Sequence, residues 1–433
     1  MKWVQTLAIS LTIVFGLHVD DLAARAPKAR PAAKSRTHTP SAISQKPQDA
    51  VPSDDKIAAQ EFGTWLDAVE QSNQVSGLAA AIVSGDKILL QRGIGYADAS
   101  RGKRITADSV FRLASLSKAF ASALTAMLVD EGMLSWQTKV AGILPTFELH
   151  DIAASSRLTV RDILSQRVGL PHNTYDGLLE QNAPYQELVE KLRDVPLSCD
   201  VGDCYGYQNI TFALIGDITY AVSGDFFYHQ VEKRIFHPLG MDSATYGRDA
   251  LESNPNWAQP HSRRGSGWTP IAIKESYYHV PPAAGVNASI KDMTKWLIAQ
   301  MGGRQDVLSN ELLTTLHTPL VSTPTELRAT PWRRARLSDA SYALGWRIYE
   351  YGGQTLVFHA GAVQGYRSMI AFFPKQKFGA VMLWNCECVV PGGLMPMLLD
   401  RYLGLPKIDW AGLDSRPSAR PAGTGNRLTR RRP

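Results

Sequence analysis

The chain has 433 residues, 44% of them apolar, enough to bury the core of an extended enzyme domain or of two lobes. A net charge of +6 with a pI near 9.0 invites a nucleic-acid reading, but the location of the charge excludes it. Residues 25–53 sum to +5, residues 411–433 to another +5 and the first 24 to −1, so the core carries −3 and is no platform for nucleic acid. The two basic ends read as solvated segments that touch an anionic surface, membrane or cell wall.

In chain order, Lys2 opens a hydrophobic stretch from about Leu7 to Val19, followed by small residues at Ala24-Arg25-Ala26. That is the layout of a secretory signal, so residues 1–26 are predicted as a signal peptide and the protein as periplasmic or secreted. Asp20-Asp21 is untidy for a cleavage region, which keeps an uncleaved inner-membrane anchor as the alternative. No cysteine precedes Cys199, which excludes a lipid-modified cysteine at a mature N-terminus. Residues 27–53 read as a linker, 54–410 as the folded domain and 411–433 as a basic tail.

Folding is predicted to begin near Asp54-Asp55, at a helix whose apolar stripe is Ile57, Phe62, Trp65, Leu66 and Val69. Leu78–Val83 and Lys87–Gly93 read as strands joined at Ser84-Gly85-Asp86. From Ser115 to about Gln300 the pattern is mainly helical. Strands are predicted again at Tyr342–Tyr349, Thr355–His359, Gly365–Phe373 and Gly379–Leu383, and a last helix at Leu394–Leu403. The expected fold class is therefore α+β, an antiparallel sheet with terminal helices and a mainly helical lobe opposite, with a cleft between them.

Ser-x-x-Lys occurs at Ser53, Ser84, Ser100 and Ser115, so context must choose among them. Only Ser115-Leu116-Ser117-Lys118 opens an apolar, Ala-rich helix, which ends at Gly132. Positions i and i+3 share a helix face, so the Lys118 ammonium can curl back to the Ser115 hydroxyl. A helix N-terminus would also surround a developing oxyanion with N–H groups. A serine hydroxyl needs a base, and Tyr207-Gln208-Asn209, before another apolar helix, supplies a candidate. For Tyr207 to act near neutral pH its pKa must fall from ~10 toward ~7, with Lys118 as the cation that lowers it. His359-Ala360-Gly361 ends a predicted strand, where glycine lets backbone approach a ligand closely.

The order Ser-x-x-Lys, Tyr-x-Asn, then a basic residue-x-Gly resembles the β-lactamase and penicillin-binding family, closest to class C β-lactamases. The resemblance covers about residues 55–405. It extends to Phe111-Arg112-Leu113-Ala114, Leu164-Ser165-Gln166-Arg167-Val168-Gly169-Leu170-Pro171, Pro238-Leu239-Gly240-Met241, Ala284–Met293 with Trp296, and Leu344-Gly345-Trp346. Within Ala284–Met293, Ser289 and Asp292 also fit a helix cap. The resemblance implies that Ser115 is acylated, that Lys118 and Tyr207 shuttle protons, and that Asn209 holds the substrate amide. It further implies an oxyanion hole from the N–H groups of Ser115 and Ala362, with His359 and Gly361 contacting substrate.

Class C enzymes carry Lys-Thr-Gly where this chain has His359-Ala360-Gly361, a form resembling related esterases and D-amino-acid peptidases. An unperturbed histidine is mostly neutral at pH 7, so carboxylate recognition is expected to weaken unless Arg367 substitutes. β-Lactam hydrolysis is the leading expectation. A D-amino-acid peptidase, carboxypeptidase or esterase is the alternative, and a penicillin-binding protein with little turnover the third. No Gly-x-Ser-x-Gly or His-Glu-x-x-His is present, which disfavours lipase-type and metalloprotease chemistry. No cofactor or metal is implied, although His261, His279 and His359 are weighed as a group meeting in the cleft. The ligand expected is a small β-lactam or a D-amino-acid peptide or ester, taken by a monomer. Cys199 and Cys204 can close a small loop. Cys386 and Cys388, one residue apart, would form only a strained bridge, with buried thiols as the alternative; a four-cysteine zinc site has no familiar spacing here.

Overall fold

The computed structural model describes residues 55–414. The leader expected over 1–26, the linker over 27–53 and residues 415–433 of the tail lie outside them. The first helix, Asp55–Gln71, buries Ala58, Ala59, Phe62, Leu66 and Val69. Ile57, counted in the predicted stripe, is 43% exposed. One turn before Phe62 the inward positions are Ala58 and Ala59, and Ile57 falls off that face.

Among the described residues fourteen strands follow: β1 Gly77–Ser84, β2 Lys87–Asp98, β3 Lys103–Arg104, β4 Val110–Arg112, β5 Thr245–Tyr246, β6 His261–Arg264 and β7 Gly267–Pro270. The remainder are β8 Val286–Ser289, β9 Val321–Ser322, β10 Leu337–Tyr342, β11 Arg347–Tyr351, β12 Gln354–Val363, β13 Tyr366–Phe373 and β14 Phe378–Trp384. Nine make one antiparallel sheet in the order β3-β2-β1-β14-β13-β12-β11-β10-β9. The first and last long strands are neighbours, with Ala81 opposite Val381.

Both faces of the sheet are covered, and β1 shows it residue by residue. Leu78, Ala80 and Ile82 pack with the helices Asp55–Gln71 and Val390–Tyr402. Ala79, Ala81 and Val83, pointing the other way, join the larger core of the helical lobe. The mixed α+β architecture is the one expected, an antiparallel sheet flanked by terminal helices with a helical lobe opposite.

One predicted element divides. The strand expected over Tyr342–Tyr349 is two, β10 and β11, reversing through Gly345 at φ +72°. A Cβ on Gly345 would meet Ser122 Oγ at 2.5 Å and the Lys118 carbonyl oxygen at 2.8 Å. The turn therefore seats against the helix Ser117–Asp130, and the apolar run Tyr342–Trp346 resembled one strand only because the turn is buried.

A small sheet, β4-β8-β5, holds the chain just before Ser115, with Phe111 opposite Ala288 and Arg112 opposite Asn287. Ser289 and Asp292 form the expected capping box on the helix Ile290–Gln300. Cys199 pairs with Cys204 and Cys386 with Cys388, in place of buried thiols. Among the described residues no single helix is long and apolar enough to cross a membrane.

Candidate active site

Ser115 lies in a 3-10 turn, Ala114–Leu116, that runs directly into the helix Ser117–Asp130. Lys118, three residues on, lies in the first turn of that helix on the face of Ser115. The turn is anchored on both sides. Leu113 N–H donates to the Val286 carbonyl at 2.9 Å, and Ser117 Oγ donates to the Ala114 carbonyl at 2.6 Å while accepting from Val286 N at 3.0 Å. Ser368 Oγ on β13 donates to the Leu113 carbonyl at 2.7 Å. Ala114 holds φ +50°, left-handed for a residue with a Cβ, a local strain that these anchors maintain.

Lys118 is fully buried. Its Nζ donates to Asn209 Oδ1 at 2.6 Å and to the Ala283 carbonyl at 3.1 Å, and lies 4.7 Å from the centre of the Tyr207 ring. Burial lowers its pKa to about 7, with Asp176 opposing the shift and Arg347 adding to it. Two acceptors match the two N–H bonds of a neutral amine, whose lone pair remains for a proton.

For Tyr207 the structure reverses the expectation that the phenol is acidified. Burial pushes it up to about 12, outweighing the neighbouring Ser115 hydroxyl and the nearby Arg347 cation. Lys118, itself near neutrality, is too weakly charged to lower it. The group poised to accept a proton near pH 7 is Lys118, and Tyr207 remains a neutral phenol.

Asn209 precedes the helix Ile210–Ser223 without capping it. Its Oδ1 takes the Lys118 proton donor, and its Nδ2 donates to Asp176 Oδ2 at 2.7 Å, leaving one amide hydrogen for a ligand. The Tyr207–Asn209 loop is held by the Leu164–Pro171 segment. Gln166 accepts from Gln208 N–H at 2.7 Å and donates to the Gln208 carbonyl at 3.1 Å. Asn173 N–H donates to the Tyr207 carbonyl at 2.8 Å. Gln166→Ala would leave a buried N–H and carbonyl unpaired, a cost of about 2–4 kcal/mol. The expected result is a lower Tm with kcat reduced at least tenfold; retention of both, measured by thermal unfolding and steady-state assay, would contradict this positioning.

A cavity of about 470 Å³ opens over these groups, lined among others by Ser115, Asp176, Tyr207, Asn209, Gly361, Ala362 and Arg367. Gly361 is required where β12 meets the Ser115 turn: a Cβ there would meet the Leu113 carbonyl oxygen and Ser368 Oγ, each at 2.3 Å. Pairing of β11 with β12 stops at Phe358, so β11 leaves the 359–363 segment of β12 uncovered beside Ser115.

His359 is a correction to the expected substrate contacts. Its ring is only 1% exposed and sits behind the cavity wall, with Nε2 3.3 Å from Tyr342 Oη and Nδ1 2.9 Å from the Ala360 carbonyl oxygen. Burial, with Arg347 and Lys118 nearby, holds its pKa well below the usual histidine range, so it is neutral. Strand alternation turns this side chain away from the side on which Ala362 is exposed. Arg367 lines the cavity as expected, but its Nη1 donates to the Val363 and Tyr366 carbonyls at 2.7 and 2.8 Å, and its Nη2 lies 3.2 Å from Glu387. His261 and His279 do not meet His359: His261 accepts from Ala99 N–H, and His279 is 3.2 Å from Asn182. No group of three or more His, Cys, Asp or Glu able to hold a metal occurs among the described residues.

Arg347 and Asp176 are among the cavity residues that escaped the sequence reading. Arg347 pairs with Glu326 at 2.7 Å and lies 5.6 Å from the Tyr207 ring centre. Asp176 bonds Asn209, and its other carboxylate oxygen is buried without a partner among the described residues. Arg347 follows Leu344-Gly345-Trp346 directly, a signal that was available; Asp176 opens the short helix Asp176–Glu180, which carries no motif.

The Beta-lactamase family profile matches residues 62–390. The chain belongs to that family. Among curated members, it is 28% identical over 343 residues to unguisins hydrolase ungD' of Aspergillus campestris, covering 75% of this chain and 61% of that protein. It is 25% identical over 332 residues to protein flp of Staphylococcus aureus strain MW2, covering 75% and 63%. The match thus spans a little over three-fifths of these relatives. The fold is shared with the octameric penicillin-binding protein homologue from Pyrococcus abyssi, at a TM-score of 0.71 and 22% identity over 80% of this chain and 77% of that one. The family is one of serine hydrolases, and the fold of this chain is the β-lactamase fold.

Proposed function

We propose that the protein is an exported serine hydrolase that opens an amide or ester through an acyl-enzyme on Ser115. The observation that carries this reading is the buried Lys118, its pKa near 7, one turn from a serine at the start of a helix. Neutral Lys118 takes the hydroxyl proton as Oγ bonds the carbonyl carbon. The oxyanion then forms beside the N–H groups of Ser115 and Ala362. On collapse the proton passes from Lys118 to the departing amine or alkoxide, with the Tyr207 phenol as relay. Water then repeats the sequence, and the acid product leaves Ser115 free.

For the substrate, two features favour a peptide or ester over the β-lactam amide that led the sequence reading. The open 359–363 edge of β12 suits an extended, peptide-like acyl chain. The buried, neutral His359 supplies no cation to a β-lactam carboxylate. A relative named as an unguisins hydrolase is consistent with the hydrolase reading. β-Lactam hydrolysis is the second reading, supported by the grouping of Lys118, Tyr207 and Asn209 at Ser115. Export to the periplasm or outside the cell, loose contact of the basic ends with an anionic envelope and action as a monomer complete the proposal; the two cystines suit an oxidising compartment.

The test runs a D-alanyl peptide, a p-nitrophenyl ester and a chromogenic cephalosporin in parallel, with Ser115→Ala as control. Ser115-dependent peptide or ester turnover is expected to exceed cephalosporin turnover. The reverse order restores β-lactam hydrolysis, a persistent Ser115 adduct by mass spectrometry makes the protein a penicillin binder, and no Ser115-dependent activity rejects the hydrolase.

A further inference from the structure

A second cavity, about 340 Å³, adjoins the first: Tyr277, Ala362 and Arg367 line both. Its wall includes Arg112, Lys274 and Arg367 against Glu180 and Glu387. Each acidic group already has a partner. Glu180 accepts from Tyr277 Oη at 3.1 Å, and Glu387 accepts from Gly365 N–H at 3.0 Å and pairs with Arg367.

Arg112 is different. It is 2% exposed, donates once, from Nη1 to the Lys274 carbonyl at 2.9 Å, and stacks its guanidinium 3.7 Å from the centre of the Tyr278 ring. Its Nε and Nη2 are buried without an acceptor, and neither Arg112 nor Lys274 makes an ion pair among the described residues. A buried guanidinium with two unmade hydrogen bonds is costly unless an anion completes it. The planar fork of arginine matches a carboxylate in two-point contact.

We infer that Arg112, with Lys274 at the rim, forms a subsite for a carboxylate on the substrate, one cavity removed from Ser115. This deepens the acyl-hydrolase reading and rests on it: the substrate is an acyl compound bearing an acidic group away from the scissile bond. It also locates anion recognition where two guanidinium N–H groups lack an acceptor, whereas His359 is neutral and Arg367 is committed to Glu387 and two carbonyls. Phe111-Arg112 on β4 leads into the Ser115 turn, so an anion held there would be fixed relative to the nucleophile.

The experiment compares two ester series, one with a carboxylate on the acyl side and one with it on the leaving group, each against its carboxamide isostere. In one series the wild-type protein is expected to show a KM at least tenfold lower for the carboxylate. Arg112→Gln should bring that ratio close to one, and Lys274→Ala, at an exposed position, should reduce it about threefold. Ser115-dependent turnover with no carboxylate preference in either series overturns the subsite alone. A loss of kcat with the ratio unchanged in Arg112→Gln assigns Arg112 to packing and overturns it too. If no ester is turned over, the hydrolase reading fails, and glutarate decides the subsite. A glutarate-induced rise in Tm that Lys274→Ala weakens supports it, and no rise rejects it.

Discussion

The kcat/KM for an acyl substrate is expected to be level above about pH 7 and to fall tenfold per pH unit below it. The cause is Lys118, whose pKa burial lowers to about 7. The sign follows from its role: a base works only unprotonated, so activity present above the pKa is lost as pH falls through it. Other groups facing it do not produce this limb. Tyr207 is pushed up to about 12, His359 lies well below the usual range, and Arg347 stays charged throughout. Burial raises Asp176, which nonetheless favours charged Lys118, so Asp176→Asn should move the limb to lower pH. Lys118→Met should remove the limb and lower kcat by about 10²–10⁴, the usual contribution of a positioned base. A pH–rate profile from 5 to 9 decides the matter; a limb that survives in Lys118→Met belongs to another group.

The second large effect is expected at Gly361. An alanine there places Cβ 2.3 Å from the Leu113 carbonyl oxygen and 3.1 Å from Ala114 Cβ. The first of these is backbone and has no rotamer with which to yield. Either β12 or the Ser115 turn must move, which shifts the Ala362 N–H relative to Ser115. A misplacement of about 1 Å costs about 10²-fold in rate, and the overpacking about 1–3 kcal/mol in stability. Gly361→Ala should therefore lose about 100-fold in kcat with a measurable fall in Tm. The control is Ala362→Gly, at an exposed position on the same strand, where the N–H is kept and no clash arises. Equal losses in the two variants would contradict the steric account.

Much of the frame was legible because period and punctuation are local properties. The apolar run Leu78–Val83 ending at Ser84-Gly85-Asp86, the Ala-rich run after Ser115 and the Ser289/Asp292 cap each occupy a few residues and depend on short-range physics. The grouping of Ser115, Lys118, Tyr207 and Asn209 was also readable, through the order of three short motifs. The break inside Tyr342–Tyr349 was not, since a buried turn keeps its residues apolar and Gly345 shows its need only against Lys118 and Ser122.

By itself the sequence determined the α+β class, the serine at a helix start and the lysine one turn on, all set by residue type and spacing. Only the tertiary structure decided protonation and direction. Lys118 is near neutrality, Tyr207 remains a phenol and His359 turns away because each depends on desolvation and on charges brought from distant segments, Arg347 and Asp176 among them. The same holds for Arg112, an ordinary cation in the sequence that becomes an unanswered one when folding removes it from water.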